Sequence, residues 1–484
     1  MAGFIALIVS TFLGGCGSSG SAPVPMIQNL NSSTTPSSPI GLPIEINGTG
    51  FQGAPGKVEF KQGNISATVV PSPGGWSDTG IVAAVPSGGG SNFTVPGTVA
   101  VTVVTSGGTS NSVNLNLVTT PPFHVNNVTW TTTTPLPNAT TGLRAVAIPG
   151  TNATTAFVVV AGGSNLVTNS SVVLSNSINP DGTVGGSWTQ ISTNPLPSTR
   201  AHFGMAEADD GNSLVPSGKR FIYVIAGQQD ATDAPGGTNT IFMAGVDSST
   251  GAVGSWTQLS NNLPASLVGP AVALFNGHIY VVGGLQTDGT PSSNVYSAAV
   301  QNDGTLGAWS TSSHPYPTAV SFATAFGFAG NLYVVDGDDT NSIDPNEQKT
   351  NGITTVDFAP AQNGAVGVWA TTQTTSKIRE KHVTWLSFGQ LVNGEGIYNG
   401  NPGSSELEIS MVNLDGTLAS WNGMTGVNAP SANVYNATEI VSPLLTQPAP
   451  PGTPAPRFLL LGGQMFSTAQ PGSLSNTVFV TNAP

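Results

Sequence analysis

"QNDGTLGAW" at 301–309 comes back along the chain as "NPDGTVGGSW" (179–188), "DSSTGAVGSW" (247–256), "AQNGAVGVW" (361–369) and "NLDGTLASW" (413–421). With Trp130 counted, six Trp stand at 130, 188, 256, 309, 369 and 421, spaced by 52 to 68 residues. Self-similarity near a period of ~50 residues is the mark of an array in which each unit is one supersecondary block. Asn/Asp-Gly admits positive φ, so the segment predicts a tight hairpin between the third strand of a unit and a short outer strand. The Trp closing it is expected to fill the widening gap between neighbouring units, since an aromatic buries ~150–250 Å².

Other landmarks keep one order between successive Trp. A Pro-containing loop follows, as "PLP" at 135–137 and 195–197 or "PYP" at 315–317. A strand comes next, then a second strand ending in Gly: "VVVAGG" (158–163), "YVIAG" (223–227), "YVVGG" (280–284), "YVVDG" (333–337), "IYNG" (397–400) and "LLLGG" (460–463). Four strands per unit and a period of this length predict a six-bladed β-propeller. The last unit, ending at "NTVFVTNAP" (476–484), lacks an outer strand and Trp, whereas "FHVNNVTW" (123–130) is an outer strand with no unit before it. The ring is therefore expected to close by lending 123–130 to the last blade, which removes exposed sheet edges.

Charged residues make up 7% of the 484, against the ~25% usual in soluble domains, and Gly, Ser, Thr, Asn and Pro stand in their place. No long run with helical spacing follows residue 16, so the chain reads as all-β. A net charge of −13 without a basic stripe excludes a phosphate-backbone partner, so no nucleic acid is expected. The single Cys, at 16, rules out an intramolecular disulfide and a Cys-rich zinc site.

"MAGFIALIVSTFLGGC" is an apolar run closing on Leu13-Gly14-Gly15-Cys16, and it resembles a bacterial lipoprotein signal. That resemblance implies diacylation of Cys16 and an extracytoplasmic location, at the outer membrane or cell surface. No Lys or Arg precedes the apolar run, so the natural start is expected upstream. Residues 17–24 then read as a flexible linker. Short alternating runs over 25–118, among them "PIEINGTGF" (43–51) and "GTVAVTVVT" (97–105), suit a small sandwich. The segment resembles the IPT/TIG family of immunoglobulin-like domains through Pro25–Ile27, Gly48–Phe51, Val85-Pro86 and the tail Val101–Asn111. In that family such a domain is a spacer or protein-contact module. A linker at 119–122 leads to 123–484, whose Gly, Pro and Trp landmarks resemble kelch repeats of the galactose-oxidase-like superfamily. Asn399-Gly400 departs from the usual Gly-Gly.

The face carrying the loops into the inner strands surrounds the channel mouth and is the expected site. Arg144, Arg200 and Arg379 open three inner strands, with His202 and His382 close behind. Arg offers a planar donor fork and His titrates near neutrality, so these five are candidates for ligand binding. The competing reading of Arg144 and Arg200 is a tie between one blade's loop and the next. Loops at 228–239 and 464–475 add Gln228, Asp230, Phe466 and Gln470. The acidic stretch "DGDDTNSIDPNE" (336–347) offers Asp336, Asp338, Asp339, Asp344 and Glu347 as hard oxygen donors, a weak calcium signal because it lacks EF-hand order, and an ordinary solvated acidic loop is the stronger reading. No G-x-S-x-G, P-loop or H-E-x-x-H motif occurs.

Two functions follow as expectations. One is a lipid-anchored surface protein whose propeller binds a glycan or an extracellular protein. The other is a glycan-processing enzyme similar to the six-bladed kelch sialic-acid mutarotases, which needs a partly enclosed carboxylate near an Arg, with Glu380 and Glu395 among the few acids available. A structural cell-surface subunit also fits the composition.

Overall fold

A computed structural model describes residues 22–31, 36–53, 56–71, 76–88, 90–118, 129–151, 154–208, 219–230, 236–339, 352–387, 389–398, 406–413, 415–428, 434–442, 457–465 and 473–481. Among these there is no helix, and none long and apolar enough to cross a membrane; the chain is all-β, in many mostly antiparallel sheets. Cys16 and residues 123–128 lie outside the described residues.

Two sheets form from 26–118. One orders Met26–Leu30, Pro43–Thr49 and Gly80–Ala84; the other runs from Ser37–Pro39 through Val113–Val118, Gly97–Thr105 and Lys57–Gln62 to Ile65–Val69. Inward-facing Ile44, Ile46, Val58, Phe60, Val99, Val101 and Leu115 fill one shared core, as period-2 patterning dictates.

Beyond them lie six sheets, each begun by four antiparallel strands or their equivalents. Sheet I has Arg144–Pro149, Ala156–Ala161, Val173–Ile178 and Thr189–Gln190. Sheet II has Gly204–Ala208, Phe221–Ile225, Ile241–Asp247 and Thr257–Gln258. Sheet III has Ala271–Phe275, His278–Val282, Val295–Ala299 and Ser310–Thr311. Sheet IV has Thr324–Phe328, Asn331–Asp338, Gly352–Gln362 and Ala370–Thr374, and sheet V has Val383–Ser387, Gln390–Gly394, Glu406–Met411 and Asn422–Asn428. Sheet VI joins Thr438–Val441, Phe458–Leu461 and Val478–Thr481 to Trp130–Thr133, the strand that precedes sheet I. The pairing strand thus begins at Trp130, opposite Thr481, rather than ending there as the sequence suggested. The first strand of each sheet lies beside those of its two neighbours, sheet VI's beside sheet I's.

Second strands are the most apolar of each sheet, wholly so in Ala156–Ala161, Phe221–Ile225 and Phe458–Leu461, because both their faces pack against neighbouring sheets. Val158 and Val160 turn toward sheet VI, whereas Val159 and Ala161 turn toward sheet II. Six such intersheet cores alternate around the molecule, and each takes one Trp of the repeat at its edge. Trp188, Trp309 and Trp369 also donate their indole N–H to carbonyls of the Pro-containing loop one unit back, those of Thr134, Asn261 and His314, at 3.1–3.2 Å.

The opening repeat has a second task. In "DGT" the Asp carboxylate accepts from the Thr amide two residues on (2.9 Å at Asp303–Thr305), and Gly304 takes φ 84°. The freed Gly304 carbonyl accepts from the Tyr223 hydroxyl of the preceding sheet at 2.7 Å. Gly416 does the same for Tyr333, and Gly251 and Gly364 for Ser175 and Ser297. The turn latches neighbouring sheets together.

Candidate functional site

One backbone feature organises the centre. Gly142, His202, Gly269, Phe322, Lys381 and Asn436, each just ahead of a first strand, all adopt φ between 52° and 63°. Their peptides bond to one another in a closed cycle: Gly142 to Asn436, Asn436 to Lys381, Lys381 to Phe322, Phe322 to Gly269, Gly269 to His202 and His202 to Gly142, at 2.7–3.3 Å from N–H to carbonyl. Two glycines in this column are required sterically, because a Cβ on Gly142 would sit 2.7 Å from the His202 ring and one on Gly269 would sit 2.6 Å from Phe322. His202 packs edge-on to Phe322 (5.7 Å between centroids), and the Lys381 ammonium lies 4.9 Å from the Phe322 centroid. All four side chains on this annulus are buried.

Against the annulus, between the first strands, lies a cavity of about 180 Å³. Arg144, Lys381, His382, Thr384, Asn436 and Glu439 line one part of it, and Met205, Pro270, Val272, Ala325 and Phe326 another. Burial pushes the Glu439 carboxyl up to about 7, against the lowering pull of Arg144. Loss of hydration, with Arg379 and Arg144 nearby, holds the His382 imidazole down to about 3, and His202 is lowered likewise by burial and then by Lys381 and Arg144. In both rings burial therefore favours the neutral form. Among the described residues, His382 Nδ1 and Asn436 Oδ1, buried at the cavity wall, have no hydrogen-bond partner.

From the cavity a hydrogen-bonded chain leads outward between sheets IV and V. His382 Nε2 meets the Thr324 hydroxyl (3.2 Å), which meets that of Thr384 (2.7 Å), which reaches Asn393 Oδ1 (3.2 Å). Asn393 Nδ2 donates to Asp336 Oδ2 at 2.8 Å, and Thr375 donates to Oδ1 at 2.6 Å. Asp336 and Glu395 occupy the place of the first Gly of a Gly-Gly pair, at φ 47° and 57°, as Ala226 does in sheet II. Burial raises both carboxyls to about 8.

Of the candidates read from sequence, Arg144 and His382 meet at the cavity and His202 stands on the annulus. Arg200 and Arg379 do not join them. Arg200 donates to Thr199 O (2.8 Å) and to the Thr240 hydroxyl and stacks 4.7 Å over Phe242, which makes it a tie between loops. Arg379 is wholly buried against Glu395 O (3.0 Å) and the Glu408 carboxylate (3.4 Å). The register explains this: Arg200 and Arg379 both precede the annulus by two residues and Arg144 follows it by two. His202 accordingly aligns with Lys381, not with His382. Gln228 is buried in a bridge to Ala201, and both its carbonyl and that of exposed Asp230 accept from Asn169 Nδ2 at 3.0 Å. The acidic stretch is no cage at its start, since Asp336 and Asp338 turn inward and only Asp339 is exposed. Among the described residues no group of three or more His, Cys, Asp or Glu could hold a metal ion. Asp344, Glu347, Phe466, Gln470, Asn399 and Gly400 lie outside the described residues, and Glu395-Gly396 takes the place expected for Asn399-Gly400.

Sequence reasoning missed Lys381, Asn436 and Glu439. Aligning the units on the residue before each first strand would have placed Gly142 and Gly269 in one column and exposed the other four as its occupants. No protein-family model matches the chain, and no curated protein matches it.

Proposed function

We propose that residues 129–481 form a six-bladed propeller of kelch type behind an IPT/TIG-like sandwich, held outside the cell by lipid on Cys16. The six alternating intersheet cores, the annulus and the pairing of Trp130–Thr133 with Val478–Thr481 support that architecture. The protein acts as a binding protein: its central cavity takes the acidic end of a glycan or of an extracellular protein. The observation that carries this is the pair of cations, Arg144 and Lys381, lining one cavity beside two buried polar atoms that have no partner among the described residues. At ~30 Å³ per water in the liquid, the cavity corresponds to about half a dozen waters, room for one terminal residue of a ligand and not for a chain. Titration calorimetry of the soluble 22–484 fragment against acidic and neutral ligands tests it. Binding confined to the acidic ones, and lost in Arg144→Met, is expected; equal binding of neutral ones overturns it.

A second reading, sugar mutarotation, is favoured by Glu439, a half-buried carboxyl near 7 beside Arg144. Such a group both gives and takes a proton at neutral pH. Magnetisation transfer between the anomers of an acidic sugar, sensitive to Glu439→Gln, is its signature.

A further inference from the structure

The cavity is divided, and the division follows the order of the sheets. Every charged or amide group on its wall comes from sheets V, VI and I and the annulus residues beside them: Lys381, His382, Asn436, Glu439 and Arg144. The opposite arc, from sheets II, III and IV, contributes Met205, Pro270, Val272, Ala325 and Phe326, together with the ring of Phe322. Thr324 is the polar exception on that arc, and its hydroxyl is already engaged by His382 and Thr384. A bare sugar acid presents hydroxyls all round its ring, and a half-wall of aliphatic and aromatic carbon leaves those hydroxyls unpaired, at a cost of ~1–3 kcal/mol for each buried group. A ligand matched to this wall is polar at one pole only.

The polar pole specifies more than charge. Arg144 and Lys381 supply donors to an anion, with the guanidinium suited to a planar carboxylate. Among the described residues Asn436 Oδ1 is an acceptor without a donor, and the Glu439 carboxyl, on the first strand that Asn436 precedes, is a second acceptor. An N–H close to the carboxylate satisfies them. A carboxylate, an adjacent N–H and an apolar side chain together describe an α-amino acid with an aliphatic or aromatic side chain.

We infer that the central cavity recognises an apolar α-amino acid, free or as the C-terminal residue of a peptide, its carboxylate between Arg144 and Lys381, its N–H toward Asn436 and Glu439 and its side chain against Val272 and Phe326. This rests on the cavity being the ligand site and selects peptide over glycan within that reading. The free amino acid and the peptide end share the same chemistry, and they differ in whether the nitrogen carries a full positive charge to pair with Glu439.

The test is calorimetry on the 22–484 fragment with L-leucine, N-acetyl-L-leucine and glucuronate, repeated on Val272→Asn, with thermal melts to verify folding of the variant. At least tenfold tighter binding of a leucine probe than of glucuronate is expected, narrowed in Val272→Asn. Preference for L-leucine identifies the free amino acid as source, and preference for N-acetyl-L-leucine a peptide end. Glucuronate binding as well as or better than both leucine probes overturns the inference and leaves the acidic-ligand function standing. If none of the three binds, the cavity is not the ligand site and both readings fall. If Val272→Asn fails to fold, Met205→Gln carries the same comparison on the neighbouring first strand.

Discussion

Gly142 shows how much one residue can carry. It holds φ 63° with the His202 ring where a Cβ would be, and its peptide is one link of the six-membered cycle. Gly142→Ala is expected to lower stability by about 1–3 kcal/mol from backbone strain, with a further loss as His202 is displaced. Chemical denaturation against wild type measures it. The buried carboxyls make a second residue-level prediction. Asp336 and Glu395 stand near 8, and Glu45 and Glu439 near 7, all raised chiefly by burial. Unfolded carboxyls titrate near ~4, so the folded state binds more protons in between. The stability tied to these groups is complete below pH ~4 and is lost as pH rises through 7 and 8. The Asp residues of the exposed turns, lowered by their Ser and Thr partners, have the opposite sign, but they are solvated and count for less. Melting temperature should fall from pH 5 to pH 9, and Asp336→Asn should flatten that slope. A slope unchanged in the variant sinks the assignment.

At the scale of the element, the informative unit is the turn with its Trp. Tyr223 is fully buried and its hydroxyl meets the Gly304 carbonyl of the next sheet. Tyr223→Phe should cost about 1 kcal/mol, the net worth of one buried hydrogen bond, read from the denaturation midpoint at unchanged slope. Much of this level was legible in the chain. Period, Gly turns and Trp positions gave the strands their order because each is fixed locally, by turn chemistry and alternation. Two placements went astray for a physical reason. Trp130 was taken as the end of an outer strand, yet indoles in this repeat precede it, since the ring must reach back to the loop of the previous unit. Glu395-Gly396 was passed over in favour of Asn399-Gly400 because a carboxylate at positive φ is tolerated only where surrounding partners hold it, and those partners are nonlocal. The cavity was illegible for the same cause: its wall takes a few residues from each of six separated segments.

Across the whole molecule, the N-terminal sheets are docked and not loosely tethered. Asn276 Nδ2 donates to Glu45 Oε1 at 2.5 Å, Asn363 Nδ2 donates to the Thr79 hydroxyl at 3.1 Å, and Gln362 bonds Ser77. These contacts fall on turns of sheets III and IV. Asn276→Ala leaves Glu45 buried without that donor. It should loosen the docking, seen as an increased radius of gyration in solution scattering and as a lower first melting transition. An unchanged scattering profile would mean the remaining contacts suffice.

Sheet VI, which pairs the strand just ahead of sheet I with the last strand of the described residues, has one more implication. Trp130 and Thr481 face each other across a single ladder, so a short peptide could join them and the backbone could be cut elsewhere, for example in the turn at 276–277, without altering any pairing. The order in which sheets I to VI are synthesised is then separable from the way their strands pair.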